Sequence, residues 1–267
     1  MTHWEITEPQ TIELDTVSSL RLRIVEGDVS VTATDGPARL EVHSLTGAPL
    51  QVDQVDGVLT VTYKDLSWGG ILDWITGGGS RKRNVSLAVA VPADCAVELG
   101  TVSADAVVSG VTRPTNVRTV SGEITLDGLG GDISARTVSG NVESLGLAGE
   151  LSFETVSGDL TVASGTCSKL MAKTVSGDVM VSVEVESGGR VAVVTVSGDV
   201  VLRLPAATAG ASVRVDSVSG QLTSAFDGVT TSRTPGRRRL EGVVGDGRGA
   251  LRVKTVSGDV DLLSSAS

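Results

Sequence analysis

The chain has 267 residues, 22 Lys+Arg against 32 Asp+Glu, and a formal net charge of −10. That balance, with aromatics at only 2% of residues, excludes nucleic acid as a partner, because phosphate backbones are held by clustered cations and bases by aromatic platforms. At 40% apolar residues the chain still has material for an aliphatic core.

The opening MTHWEITEPQ has neither a basic stretch nor an apolar run after it, and no later segment reaches membrane-spanning length, so no secretion signal or membrane span is expected. Short alternating segments at Thr11 to Leu14, Leu20 to Val25, Val29 to Ala33, Leu40 to Val42 and Leu59 to Tyr63 read as strands. Asp35-Gly36 and Val55-Asp56-Gly57 mark the corners between them, and Val25-Glu26-Gly27-Asp28-Val29 partly echoes the hexapeptide described below. Residues 1–95 are therefore expected to form an irregular β N-terminal cap, with Ser86 to Val91 leading through Pro92 into a more regular part.

Within this part, residues 66–83 form a loop insertion, LSWGGILDWITGGGSRKR. Trp68, Ile71, Leu72 and Ile75 fall at i, i+3, i+4 and i+7, with Trp74 beside them, and Arg81, Lys82 and Arg83 close the segment. These eight residues are a candidate interaction loop with three open readings: a lid on the end of the core, a contact with an anionic membrane surface, or protein association.

From Thr101 the sequence repeats. TVSADA returns as TVSGEI at Thr119, TVSGNV at Thr137, TVSGDL at Thr155, TVSGDV at Thr174 and Thr195, SVSGQL at Ser217 and TVSGDV at Thr255. The intervals run 18, 18, 18, 19, 21, 22 and 38, as expected where each coil has only to match its neighbours. A second short strand in each period, such as Gly131 to Arg136, gives two strands and two turns per coil. This predicts an all-β, single-stranded parallel β-solenoid, regular over residues 96–267 and continuous with residues 1–95 as one domain.

Alternation places Val102, Val120, Val138, Val156, Val175, Val196, Val218 and Val256 in one inward ladder and the following serines in an outward one, exchanging hydroxyl hydrogen bonds. The column Asp105, Glu123, Asn141, Asp159, Asp178, Asp199, Gln221 and Asp259 is expected to accept backbone N–H groups beside each Gly bend. Two other uses are weighed for it: calcium binding as in a β-roll, and paired carboxylates of a carbohydrate-active enzyme. Cys95 and Cys167 lack metal-ligand spacing and read as reduced, buried hydrophobes, and His3 and His43 form no zinc or nucleophile motif. No catalytic residue, metal or cofactor site is expected.

The 38-residue interval before Thr255 predicts a hairpin-like insertion at 228–250. Arg237, Arg238 and Arg239 within it read as a solvated face or as a candidate anion contact.

The serial TVSGDV units, the VPADCAVELGTVSA segment and the closing GVVGDGRGALRVKTVSGDV resemble the bacterial adhesin-like family known as domain of unknown function 4097. The resemblance covers residues 20–263 and implies a β-helix-like domain without accepted catalytic residues. It also implies a setting near envelope-stress membrane components. The expectation is a non-enzymatic binding or scaffolding module, cytoplasmic and peripheral to the inner face of the membrane, with a protein partner or a second copy as ligand.

Overall fold

The structure, a computed structural model, describes residues 1–64, 83–205 and 210–265. Every regular element among them is a β-strand. The chain is an all-β solenoid, and it divides into two compact units, Met1–Thr125 and Leu126–Ser267.

The first unit contains β1 (Thr2–Ile6), β2 (Gln10–Glu13), β3 (Ser19–Ala33), β4 (Arg39–Thr46), β5 (Leu50–Val55), β6 (Val58–Tyr63), β7 (Asn84–Val91), β8 (Ala96–Ser109) and β9 (Thr115–Arg118). Its centre is β3, which turns at Gly27 (φ 125°) and is flanked in parallel by β8 on one side and by β6 and then β7 on the other. The coil made by β6 and β7 therefore lies outside β3 although it follows β3 in sequence. Antiparallel strands close this end: β5 on β6 and β1 on β5, β4 on β7 and β2 on β4. They supply hydrogen-bond partners to an edge that would otherwise template further pairing. The β5–β6 turn falls at Asp56-Gly57, both at positive φ, as the sequence of that corner implies. Leu20, Leu22, Val61, Leu87 and Leu99 fill the interior at no more than 2% exposure.

After β10 (Ile124–Asp127), the second unit contains β11 (Gly130–Arg136), β12 (Val142–Glu154), β13 (Leu160–Lys173), β14 (Val179–Val194), β15 (Val200–Pro205), β16 (Ala211–Ser217), β17 (Leu222–Ser224), β18 (Val229–Thr234), β19 (Arg237–Val244), β20 (Gly249–Lys254) and β21 (Val260–Ser265). β11 to β14 stack in parallel and in sequence order. The order then changes. β20 lies between β14 and β16, and β21 between β15 and β17, so the last rung of the sequence is inserted inside the stack. β19 covers β16 in antiparallel orientation and pairs with β18 through a turn at Pro235-Gly236.

The repeat turns differ from simple alternation. Thr137, Thr155, Thr174, Thr195, Ser217 and Thr255 are buried at 9% exposure or less. Six of the eight valines expected in the core are exposed instead, from 45% at Val196 to 51% at Val156 and Val218, and Val102 and Val120 are half-buried. TVSG is a turn, so period two fails across it. The Thr side chain enters the interior because its hydroxyl has a partner there, accepting the N–H of Gly140 from Thr137 (2.7 Å), of Gly177 from Thr174 (2.9 Å) and of Gly258 from Thr255 (3.0 Å). Alternation resumes after the turn, with Val142, Leu160, Val179, Val200 and Val260 at 1% exposure or less. The serine hydroxyls donate to carbonyls of the neighbouring rung, as Ser176 does to Val156 (3.3 Å), not to one another.

Both cysteines are buried and free. Burial pushes each thiol up to about 11, with Asp94 adding to the shift at Cys95 and Glu186 at Cys167.

Candidate functional site

Three regions present chemistry. The first is the repeat edge of the second unit. Glycine is required there by close approach: a Cβ on Gly158, Gly177, Gly198, Gly258 or Gly220 would overlap the carbonyl oxygen of the preceding glycine in the stack. With backbones this close, each column residue reaches the next rung. Asn141 Oδ1 accepts the N–H of Asp159 (3.0 Å), Asp159 that of Asp178 (2.8 Å), Asp178 that of Asp199 (2.8 Å), Asp199 that of Asp259 (2.8 Å) and Asp259 that of Gln221 (2.7 Å). In the first unit Asp105 does the same for Glu123 (2.8 Å). The acidic column is a ladder of backbone acceptors, as its position beside the Gly bend implies.

Outside this ladder, Val138, Val156, Val175, Val196, Val256 and Val218 form an exposed apolar ridge with serines beside it. The acidic column flanks the ridge on one side. The residues preceding each threonine flank it on the other, where Glu154 receives Arg136 (3.1 Å) and Lys173 (3.0 Å). The Lys173 hydrogen bond is the main reason the Glu154 carboxyl titrates below the usual range; burial opposes it, and the Arg136 hydrogen bond adds to the lowering. A half-exposed valine on every rung is a repeated feature that a single-copy catalytic site does not need.

The second region is the arginine cluster. Arg237 and Arg239 project from β19, opposite β16, and both donate to Asp216 Oδ1, Arg237 through Nη2 (2.9 Å) and Nε (3.1 Å) and Arg239 through Nε (2.8 Å). Arg214 Nε donates to the other carboxylate oxygen (3.0 Å). Arg238 points the other way, its Nη1 donating to the Gly220 carbonyl (2.9 Å). The run Arg237 to Arg239 is thus divided by strand alternation, and the focus is Asp216, which stands in no arginine motif and carries no sequence signal beyond its place two residues after Arg214.

Burial favours the protonated form of Asp216, but the hydrogen bonds from Arg239, Arg214 and Arg237 outweigh it and hold the carboxyl down to about 2. A depressed folded-state value stabilises the protein above the unfolded-state pKa, and that contribution is lost as pH falls through the folded one. Between pH 4 and pH 2 the wild type should lose on the order of 1 to 2 kcal/mol that Asp216→Asn lacks at every pH. Melting curves of the two proteins from pH 6 to pH 2 should converge toward the acid end, and parallel curves would refute the assignment.

The third region is the base of the 66–83 insertion. Trp68, Ile71, Leu72, Trp74, Ile75, Arg81 and Lys82 lie outside the described residues. Arg83, read with Arg81 and Lys82 as the basic end of the candidate loop, is 6% exposed, with its guanidinium 5.4 Å from the centroid of the buried Tyr63 ring. A delocalised, weakly hydrated cation is tolerated there because the ring face supplies negative potential. Burial raises the Tyr63 hydroxyl to about 12, and the Arg83 charge opposes the rise.

Among the described residues no group of three or more His, Cys, Asp or Glu side chains is arranged to hold a metal ion.

Residues 21–263 match the family model described as Toastrack DUF4097. No curated protein matches the chain. Similar solved structures include a putative lipid binding protein from Parabacteroides distasonis, 13% identical, covering 97% of this chain and 96% of its own, with a TM-score of 0.50. A putative adhesin from the same organism is 13% identical over 96% of both chains at a TM-score of 0.48, and one from Bacteroides fragilis is 15% identical over 96% of both at 0.46. At these identities the first likeness speaks to the fold alone, and the other two carry no further argument.

Proposed function

The chain belongs to the Toastrack DUF4097 family, and on that basis we propose that it is a non-enzymatic binding module that docks an extended partner along the repeat edge of its second unit. The observation carrying this reading is the exposed valine ridge, one side chain per rung, on a backbone fixed by the glycine and carboxylate ladders. Repetition at a constant rung spacing suits a partner that is itself extended or repetitive, because each added rung adds the same small increment of apolar burial.

The carbohydrate-active and calcium-binding alternatives draw on the acidic column. Asp159, Asp178, Asp199 and Asp259 are committed rung after rung to the same backbone hydrogen bond, and none of these carboxylates is set apart by its partner, as an acid and base pair of opposed roles requires. An envelope setting at the cytoplasmic face, with the 66–83 loop meeting anionic lipid or protein, is supported by the family resemblance and by the loop's Trp and basic residues. The lipid-binding description of the Parabacteroides protein makes vesicles a reasonable first ligand to try.

The test compares wild type with Val156→Ser/Val175→Ser/Val196→Ser as bait in cell extract, with an oligosaccharide panel run in parallel. A partner retained by wild type and lost by the triple variant is expected. No retained partner, together with oligosaccharide turnover that is lost in Asp178→Asn, would replace the binding module with an enzyme.

A further inference from the structure

The outward face of the last rungs gathers cations that are far apart in the sequence. The β16–β20 register sets Arg214 opposite Arg252 and Asp216 opposite Lys254, and the β16–β19 register sets Arg214 opposite Glu241 and Asp216 opposite Arg239. With Arg237, whose guanidinium reaches Asp216 from the end of β19, this makes five cations against two carboxylates on three adjacent strands of a chain with net charge −10. Neighbouring strands lie about 4.8 Å apart and alternate residues along a strand about 6.7 Å apart, so the cations occupy one patch roughly 10 Å across.

We propose that this patch is a binding site for an anion with closely spaced phosphates. Three features support it. Asp216 holds the guanidinium groups of Arg214, Arg237 and Arg239 in fixed orientations through Nε donors, with Nη2 of Arg237 also on Asp216 and Nη1 of Arg239 near Glu241, which leaves the remaining terminal N–H groups for a ligand and lowers the ordering entropy that flexible surface arginines would lose on binding. Arg252 and Lys254 are exposed and make no ion pair among the described residues, so their charges are not spent within the fold. A single carboxylate or chloride would meet only the charge left over by Asp216, whereas a chain of phosphates spans from Arg239 to Arg252 and engages several forks at once. The ladder carboxylates and the rest of the acidic surface repel such a ligand elsewhere, which confines it to this face.

This site goes beyond the binding-module reading and uses none of the valines of the repeat edge, so either can fail without the other. The phosphates could belong to a soluble polyphosphate or to lipid headgroups, and two probes separate these sources. Tripolyphosphate is titrated calorimetrically at low ionic strength into wild type, into Arg252→Gln/Lys254→Gln, and into the charge-matched control Arg113→Gln/Arg118→Gln, whose exposed side chains lie in the first unit. The patch variant should bind about tenfold more weakly and the control within about twofold of wild type, with all affinities falling as salt rises. If the double variant melts early, Lys254→Gln alone, which keeps every contact of Asp216, should still weaken binding by severalfold. Sedimentation with phosphatidylglycerol against phosphatidylcholine vesicles is the second arm. Vesicle binding displaced by tripolyphosphate would support the site with a headgroup as its source, and tripolyphosphate binding without vesicle binding would support it with a soluble source. No tripolyphosphate binding by wild type, or equal loss in the patch variant and the control, overturns the proposal.

Discussion

Gly198→Ala should destabilise the second unit by about 3 kcal/mol or more, whereas Val196→Asp, two residues away, should stay within about 1 kcal/mol of wild type. The glycine has no side chain because the Gly177 carbonyl already occupies the place where a Cβ would stand. A carbonyl of a hydrogen-bonded rung cannot rotate away as a flexible side chain can. Relief requires the two rungs to part, which strains the Ser197 N–H bond to Val175 (3.0 Å) and the Asp199 N–H bond to Asp178 (2.8 Å) together. Val196 is 45% exposed on the same turn, and a carboxylate placed there stays in water. For a unit of this size 3 kcal/mol corresponds to roughly 6 to 12 °C in Tm. A larger loss for Val196→Asp than for Gly198→Ala would reverse the inward and outward sides of the repeat turn.

That contrast also shows what the sequence disclosed. The repeat, its two strands per coil and the acceptor role of the acidic column were legible, because each follows from a local pattern: a fixed interval, alternation after Gly-Asp, a short carboxylate beside a bend. The side of the turn on which valine sits was not legible by alternation, since TVSG places two consecutive residues outside, and only the need of a buried threonine hydroxyl for a donor fixes the phase. Hydropathy would bury Val156 before Thr155, and hydrogen bonding decides otherwise: Thr155 Oγ1 accepts the Gly158 N–H (3.0 Å), which water cannot reach. The burial of Arg83 is illegible for a related reason, because nothing in the run Arg81 to Arg83 signals the aromatic face that Arg83 meets. The convergence of Arg214, Arg237 and Arg239 on Asp216 depends on which strands are neighbours, and that order is not the order of the chain.

The interleaved order was nevertheless written faintly in the repeats. A rung with another beyond it needs a short acceptor for the next N–H, and Asp159, Asp178, Asp199 and Asp259 meet that need. Gln221, whose own N–H is received by Asp259, stands in the last rung of the ladder and has no further rung to serve. SVSGQL is the least regular copy because it is the outermost in space, although TVSGDV at Thr255 is the last in sequence.

Deleting residues 249–267 should therefore do more than trim an end. β20 and β21 contribute Leu251, Val253, Val260 and Leu262, all exposed by 1% or less. At about 1.5 to 3 kcal/mol for each buried side chain, their loss amounts to roughly 6 to 12 kcal/mol, as much as the whole stability of an ordinary domain. The rungs on either side lose partners as well, since Thr195 donates to Lys254, Val200 to Asp259 and Ser219 to Val256 across the inserted rung. In residues 1–248, β16 to β19 should be detached from β14 and β15 and cut rapidly by protease, with the cooperative melt of the second unit lost. A synthetic peptide of residues 249–267 should restore protection in a concentration-dependent way, because it supplies the edge on which β16 pairs and its binding to the assembled state alone shifts the equilibrium. Wild-type protection and Tm in the fragment would mean that β16 can close directly onto β14 and that the inserted rung is dispensable to the stack.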